Sequence, residues 1–128
     1  MKKEIVKTAK APQAIGPYSQ AIEINNIVYT SGQIAIQPET GTIVSNDIKA
    51  QTVQVCENLK EILKAAGSHL DNVIKTTVFI TNMADFQIVN EIYGNYFKNK
   101  PARSCVEVSK LPKGALIEIE AIAYKDNI

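Results

Sequence analysis

The sequence predicts an α+β domain in which two helices pack on one face of a β-sheet. Runs rich in β-branched residues occur before, between and after two segments whose apolar residues recur at helical spacing. The length of 128 residues predicts one domain, residues 1–128, that can bury a core without disulfide or metal support. The composition, 45% hydrophobic and 21% charged, is that of an ordinary globular protein.

The first part of the chain predicts three short strands: 4–8, 21–24 and 27–30. An ordered loop with two prolines and a glycine, residues 9–17, follows the first strand. The Asn25-Asn26 pair predicts the turn of a hairpin between the other two. Gly32 then indicates a bulge or a close backbone approach, and residues 38–41 a turn.

Two helices are predicted from caps and apolar stripes. The first begins at an N-cap within residues 45–47 and ends at Gly67, and Asn82 can cap the second. The apolar stripe of the first helix indicates core packing rather than a cofactor site: Ile48, Val55, Cys56, Leu59, Ile62, Leu63 and Ala66. The inward face of the second helix is predicted to hold Phe86, Val89, Ile92, Tyr93, and Tyr96 or Phe97.

The remaining strands are predicted over 73–80, 103–109 and 115–124. Alternation in the last strand places Glu118 and Glu120 among large apolar side chains on the face away from the helices, a mixture that suits a subunit interface. If the last two strands form a hairpin through residues 111–114, the polar side chains of both can share that face. Arg103 would then lie on the order of 13 Å from Glu118. A small ligand that needs both residues would have to bind across a subunit boundary.

Arg103 is the only arginine beside thirteen lysines. A guanidinium can bind a carboxylate through two parallel hydrogen bonds, so Arg103 is a candidate ligand anchor. The alternative is a surface salt bridge or a stem covering apolar surface. The net charge of +1 provides no basic patch and argues against a nucleic-acid partner.

The N-terminal residues carry charge without an apolar signal region, and no apolar run approaches the roughly 18 residues of a membrane span, so the cytoplasm is the expected location. Cys56 and Cys105 match no zinc or disulfide pattern and are predicted to be thiols. Because His69 is the only histidine, a Cys/His nucleophile would depend on it alone, and a histidine-built metal site is not expected.

Four motifs run nearly from end to end of the chain: Ile15-Gly16-Pro17-Tyr18-Ser19-Gln20-Ala21, Thr30-Ser31-Gly32-Gln33-Ile34, Pro101-Ala102-Arg103-Ser104-Cys105-Val106-Glu107-Val108, and Leu111-Pro112-Lys113 followed by Ile117-Glu118-Ile119-Glu120-Ala121. In content, order and spacing they resemble the RidA (YjgF) family of reactive-intermediate deaminases. The resemblance implies a chorismate-mutase-like fold with a mixed sheet, and a homotrimeric barrel with three clefts between subunits. Ala35 departs from the proline of many relatives, which can alter the substrate range.

The resemblance implies hydrolysis of 2-imino acids to 2-oxo acids and ammonia, with no cofactor and no metal. Arg103 would bind the substrate carboxylate and Glu118 would position or activate water. The pocket would be shaped by Tyr18, Ser31 and Gly32, and Cys105 would contribute mainly through its backbone.

Apart from the resemblance, the residues leave alternatives open. Glu118 and Glu120 are equal candidates for a general base, and one of them can instead pair with a lysine such as Lys75. Tyr18 can be a packing residue at a hinge, and Ser31 can simply bond the backbone beside a bulge. A ribonuclease or translation inhibitor, and a non-enzymatic binding or holdase-like trimer, are the alternative functions.

Overall fold

The computed structural model describes residues 1–126 of the chain. In chain order their longer elements are β1 (Lys3–Val6), β2 (Ala21–Ile24), β3 (Ile27–Thr30), α1 (Ile48–Ala65), β4 (Val73–Ile80), α2 (Phe86–Tyr96), β5 (Ala102–Glu107) and β6 (Ile117–Tyr124). The strands form one sheet in the order β1-β2-β3-β6-β4-β5. β4 and β5 are parallel and the other neighbouring strands are antiparallel, which confirms the predicted mixed sheet.

Both predicted helices form. Asp47 caps α1 by accepting a 2.9 Å hydrogen bond from the amide of Ala50, and Gly67 reverses the chain after the helix with a φ of 80°. Asn82 caps a short 3₁₀ turn that leads into α2 at Phe86. The predicted stripe of α1 is buried against the sheet and α2. Within residues 1–126, none of the helices is long and apolar enough to cross a membrane.

The N-terminal hairpin also forms as predicted. Asn25 and Asn26 have φ values of 56° and 65°, the left-handed pair that a two-residue turn between twisted strands requires. β1 ends at Val6 rather than at Thr8, because the Thr8 amide donates to the side-chain oxygen of Gln20 (2.8 Å) instead of continuing the ladder.

The predicted hairpin between the last two strands is wrong. β6 lies between β3 and β4, and β5 pairs only with β4, at the edge of the sheet. β5 therefore stands two strand spacings, about 10 Å, from β6. Two hydrogen bonds hold the ends of the connection between β5 and β6. The Val108 amide donates to the Ile80 carbonyl at the end of β4 (2.8 Å), and the Leu116 amide donates to Gln51 Oε1 in α1 (2.9 Å).

The polar side chains of β5 and β6 represented by Arg103 and Glu118 also lie on opposite faces of the sheet, contrary to the prediction. Glu118 pairs in register with Phe79, on the face without helices, called here the open face. Arg103 pairs with Thr76, which in turn pairs with the buried Ala121 on the helix-covered face. Because paired residues point to the same side of a sheet, Arg103 and Glu118 point to different sides.

Candidate functional site

A cleft of ≈ 740 Å³ opens between the loop before β2, the segment after β3 and the turn before β6. Its lining includes four of the six predicted site residues: Tyr18, Ser31, Gly32 and Glu118. Arg103 and Cys105 are on β5 and do not line it. Within one chain, the structure thus brings together the predicted base and pocket residues but not the predicted carboxylate anchor.

A bulge brings Gly32 against Glu118. The chain takes four steps from Tyr29 to Gln33 while β6 takes three from Ile122 to Ile119, and Gln33 and Ile119 exchange backbone hydrogen bonds of 2.9 and 3.1 Å. A Cβ on Gly32 would stand 2.6 Å from Glu118 Oε2 and 2.8 Å from Cδ. Gly32 therefore leaves the carboxylate in a position that a Cβ would force it to give up, in keeping with the predicted close approach.

The environment of Glu118 distinguishes it from Glu120. Glu118 is partly buried in the cleft, and burial, with a smaller contribution from the charge of Glu120, raises the pKa of the Glu118 carboxyl above its ordinary value. Glu120 is exposed and does not line the cleft. Among residues 1–126, no ion pair joins either carboxylate to Lys75. A raised pKa makes the ionised carboxylate a stronger proton acceptor than an ordinary glutamate.

The loop carrying Tyr18 is fixed by a buried amide that sequence reasoning missed. Gln20, 3% exposed, donates from Nε2 to the carbonyls of Pro12 (2.7 Å) and Thr8 (3.1 Å). It also accepts a hydrogen bond from the Thr8 amide, so one side chain fixes the backbone at the start of the loop. The only sequence signal was a polar residue at the entry to an apolar strand.

Ser31 holds the same loop from the other side. Its hydroxyl donates to the Ser19 carbonyl (2.5 Å) and its amide donates to the Gln20 carbonyl (2.9 Å). This is the backbone-bonding alternative for Ser31, although the residue also lines the cleft. Tyr18 is 53% exposed and its ring packs beside Gly16, whose φ is 117°. Its hydroxyphenyl group is therefore positioned by the loop and remains accessible.

Ala35, the residue that departs from the family motif, does not itself line the cleft. Ala35 is fully buried in the core and its carbonyl accepts from the Val44 amide at 2.9 Å. Its neighbours Ile34 and Ile36 line the cleft instead.

Arg103 projects from edge strand β5 onto α2. Its Nη1 donates to Asn90 Oδ1 at 2.7 Å. The guanidinium carbon lies 4.9 Å from the ring centroid of Tyr93 and 5.5 Å from that of Phe86. The side chain remains exposed overall. Arg103 is thus held by neutral groups rather than by the carboxylate of a surface salt bridge, which leaves its charge available to an anion.

Cys105 combines a partly buried thiol with a backbone amide on the outer side of β5. Burial raises the pKa of its thiol, and the nearby Arg103 charge lowers it by less, so the thiol stays protonated. The Val108 amide points to β4, and strand amides alternate in direction, so the Cys105 amide points to the free edge of β5. That edge has no strand neighbour within residues 1–126.

A Cys/His pair is not present. His69 Nε2 lies 3.4 Å from the carboxylate of Asp126, and neither residue lines the cleft. Both cysteines are free thiols, as predicted, and burial raises the pKa of the Cys56 thiol to about 12. Neither thiol is arranged as a nucleophile.

Comparisons with known proteins agree with the motifs. The family model described as endoribonuclease L-PSP matches residues 8–125. A RutC family protein of Pyrococcus abyssi is 56% identical, covering 98% of this chain and all of that protein. The 2-iminobutanoate/2-iminopropanoate deaminase of Homo sapiens is 51% identical over 96% of this chain and 90% of its own. The crystal structure of E. coli TdcF with bound serine superposes with a TM-score of 0.91 at 45% identity, covering 96% of this chain and 99% of that one. The chain belongs to the endoribonuclease L-PSP family, also known as the RidA or YjgF family.

Proposed function

We propose that this protein hydrolyses reactive 2-imino acids, including 2-iminobutanoate and 2-iminopropanoate, to 2-oxo acids and ammonia. The observation that carries the proposal is the Glu118 carboxyl, packed against Gly32 in the cleft with a raised pKa. The human relative, named as a 2-iminobutanoate/2-iminopropanoate deaminase, supports it. The serine bound by E. coli TdcF supports a small ligand that carries a carboxylate next to nitrogen.

The chemistry needs few groups. A protonated imine is already electrophilic at C2, so a water molecule attacks that carbon while Glu118 accepts one of its protons. Glu118 passes that proton to nitrogen, and ammonia then leaves as the C2–O double bond forms and the hydroxyl proton is taken up by Glu118. Once ammonia collects that proton, the sum is one protonated imino acid and one water giving one oxo acid and one ammonium ion. The Tyr18 hydroxyl, at the same cleft, is placed to hydrogen-bond to the substrate.

Carboxylate recognition is assigned to Arg103 and to the outward amide of Cys105. In one chain these groups point away from Glu118, so a small substrate cannot contact both Arg103 and Glu118 of the same chain. We therefore assign the sites to the interfaces of a homotrimer, in which β5 of one subunit completes the cleft of the next. Exposed apolar residues on the open face support burial of that face: Ile5, Tyr29, Val106 and Tyr124.

The activity is tested by generating the imine in situ with a pyridoxal-phosphate-dependent dehydratase. Release of 2-oxo acid is followed while semicarbazide competes for the imine. Glu118→Gln should abolish most of the acceleration, whereas Glu120→Gln, on the same strand and face but outside the cleft, should retain most of it. An unaccelerated reaction with the native protein, or full activity in Glu118→Gln, overturns the proposal. Retained ligand binding without turnover in the native protein would favour a binding module, and RNA cleavage lost in Arg103→Ala would favour a ribonuclease.

The shared site is tested by mixing subunits. Arg103→Ala and Glu118→Ala trimers should each have little activity at substrate concentrations below the native KM, and subunit exchange between them should restore some activity because certain interfaces then contain both native residues. No recovery in verified mixed trimers would place each site within one chain.

A further inference from the structure

The neighbours of Arg103 occupy one stripe of α2. Phe86, Asn90 and Tyr93 follow each other at spacings of four and three residues, so they lie above one another on one helix face. Arg103 reaches this stripe from β5, with its guanidinium over both rings and Nη1 bonded to the Asn90 side chain. We infer that Phe86 and Tyr93 are positioning residues that orient the Arg103 guanidinium for a carboxylate ligand; this inference rests on the proposed anchoring role of Arg103.

Both rings lie against the guanidinium. Both centroid distances, 4.9 and 5.5 Å, lie inside the roughly 6 Å within which a cation is attracted by a ring face. Asn90 occupies Nη1, so it sets the rotation of the group. The remaining edge, Nε and Nη2, makes no hydrogen bond among residues 1–126, and a two-pronged carboxylate contact requires such an edge.

The core fixes the Tyr93 ring in turn. The Tyr93 hydroxyl bonds to the Thr76 hydroxyl at 2.6 Å, and Tyr93 stacks on Phe97 with centroids 4.4 Å apart. Tyr93 is only 7% exposed. A long, flexible arginine on an edge strand would otherwise lose rotamer entropy on binding, so a pre-oriented fork binds its anion at lower cost. An acidic partner could hold Arg103 equally well but would compete with the substrate carboxylate.

The experiment measures carboxylate binding and turnover separately. The variants are Phe86→Leu and Tyr93→Leu, which lose a ring face, and Tyr93→Phe, which keeps it. Val89→Ala is the matched control because Val89 is buried on the same helix and has no contact of this kind with Arg103. The Kd of 2-oxobutanoate is measured by calorimetry, and KM and kcat by the imine assay.

We expect the two leucine variants to raise Kd and KM about 3- to 30-fold with kcat little changed, because the anchor binds ground and transition states alike. Val89→Ala should stay near the native Kd, and Tyr93→Phe, which keeps the ring and its stacking on Phe97, should raise Kd by less than Tyr93→Leu. Unchanged Kd in folded Phe86→Leu overturns the inference. So does a lower apparent kcat at constant KM, which indicates only a smaller active fraction.

The inference and the proposed function fail differently. A native protein that binds 2-oxobutanoate but does not hydrolyse imines removes the deaminase function, while the Kd series still decides the role of the rings. A native protein that does not bind 2-oxobutanoate at all overturns the inference as well.

Discussion

Replacing Gly32 by alanine tests whether the close approach of Glu118 matters for function. The added Cβ would stand 2.6 Å from Oε2, whereas ordinary contacts are 3.4–4 Å, so the carboxylate must move by about 1 Å. The crowded atoms, Oε2, Cδ and Cγ, all belong to the Glu118 side chain and none to the backbone, and Gly32 does not have a left-handed φ. The backbone therefore accepts alanine, which restricts the unfolded chain and offsets part of the strain by about 0.4 to 1 kcal/mol.

We expect Gly32→Ala to fold with a nearly unchanged Tm and to lose on the order of 100-fold in kcat/KM, the cost of misplacing a catalytic group by about 1 Å. The control is Gly94→Ala on the exposed side of α2, where an added Cβ meets nothing within 4 Å. That variant should keep full activity and gain about 1 kcal/mol from helix propensity.

A double-mutant cycle isolates the cause. If Gly32→Ala acts through the Glu118 carboxylate, it should cost almost nothing further in a Glu118→Gln background, because the group that it displaces is already gone. The reasoning is refuted if Gly32→Ala is folded and fully active, or if its loss adds in full to that of Glu118→Gln.

Three further predictions use the same protein. Arg103→Lys should lower kcat/KM about ten- to a hundred-fold with an unchanged Tm, because lysine keeps the charge and loses the fork; near-native kinetics would show that charge suffices. Glu118→Gln should raise the Tm at neutral pH, since the raised pKa means that ionising Glu118 costs stability, and this advantage should vanish as the pH falls below the ordinary value of 4.5; a pH-independent difference contradicts it. Native mass spectrometry should find three chains per particle, and a stable, active monomer would refute the interface.

The sequence predicted the elements whose determinants are local. The bounds of β4 and the Asn25-Asn26 turn followed from β-branched runs and from residues that tolerate a positive φ. The approach at Gly32 was also predictable, because a glycine inside a strand pattern has few other uses.

What depends on distant partners was not predictable. The short connection before β6 resembles a hairpin in sequence, yet β4 lies between β5 and β6. Because β5 pairs with β4 and not with β6, Arg103 lies on the helix-covered face and contacts α2. The sequence had indicated only a core-packing role for the aromatic residues of that helix. Gln20 was missed for a similar reason, since the four hydrogen bonds of its side chain are with residues eight to twelve positions away.

The sheet itself connects the proposed activity to assembly. Glu118 and Arg103 are on opposite faces with β4 between their strands, so no side-chain rotation within one chain can bring them to a common small ligand. If both act on one imino acid, each chain contributes Glu118 to one site and Arg103 to another, and an isolated chain contains no complete site. Activity should then fall on dilution together with the trimer population, and added 2-oxo acid should oppose dissociation because it binds only the assembled site. Specific activity that stays constant through dissociation would mean that one of the two residues has no part in the reaction.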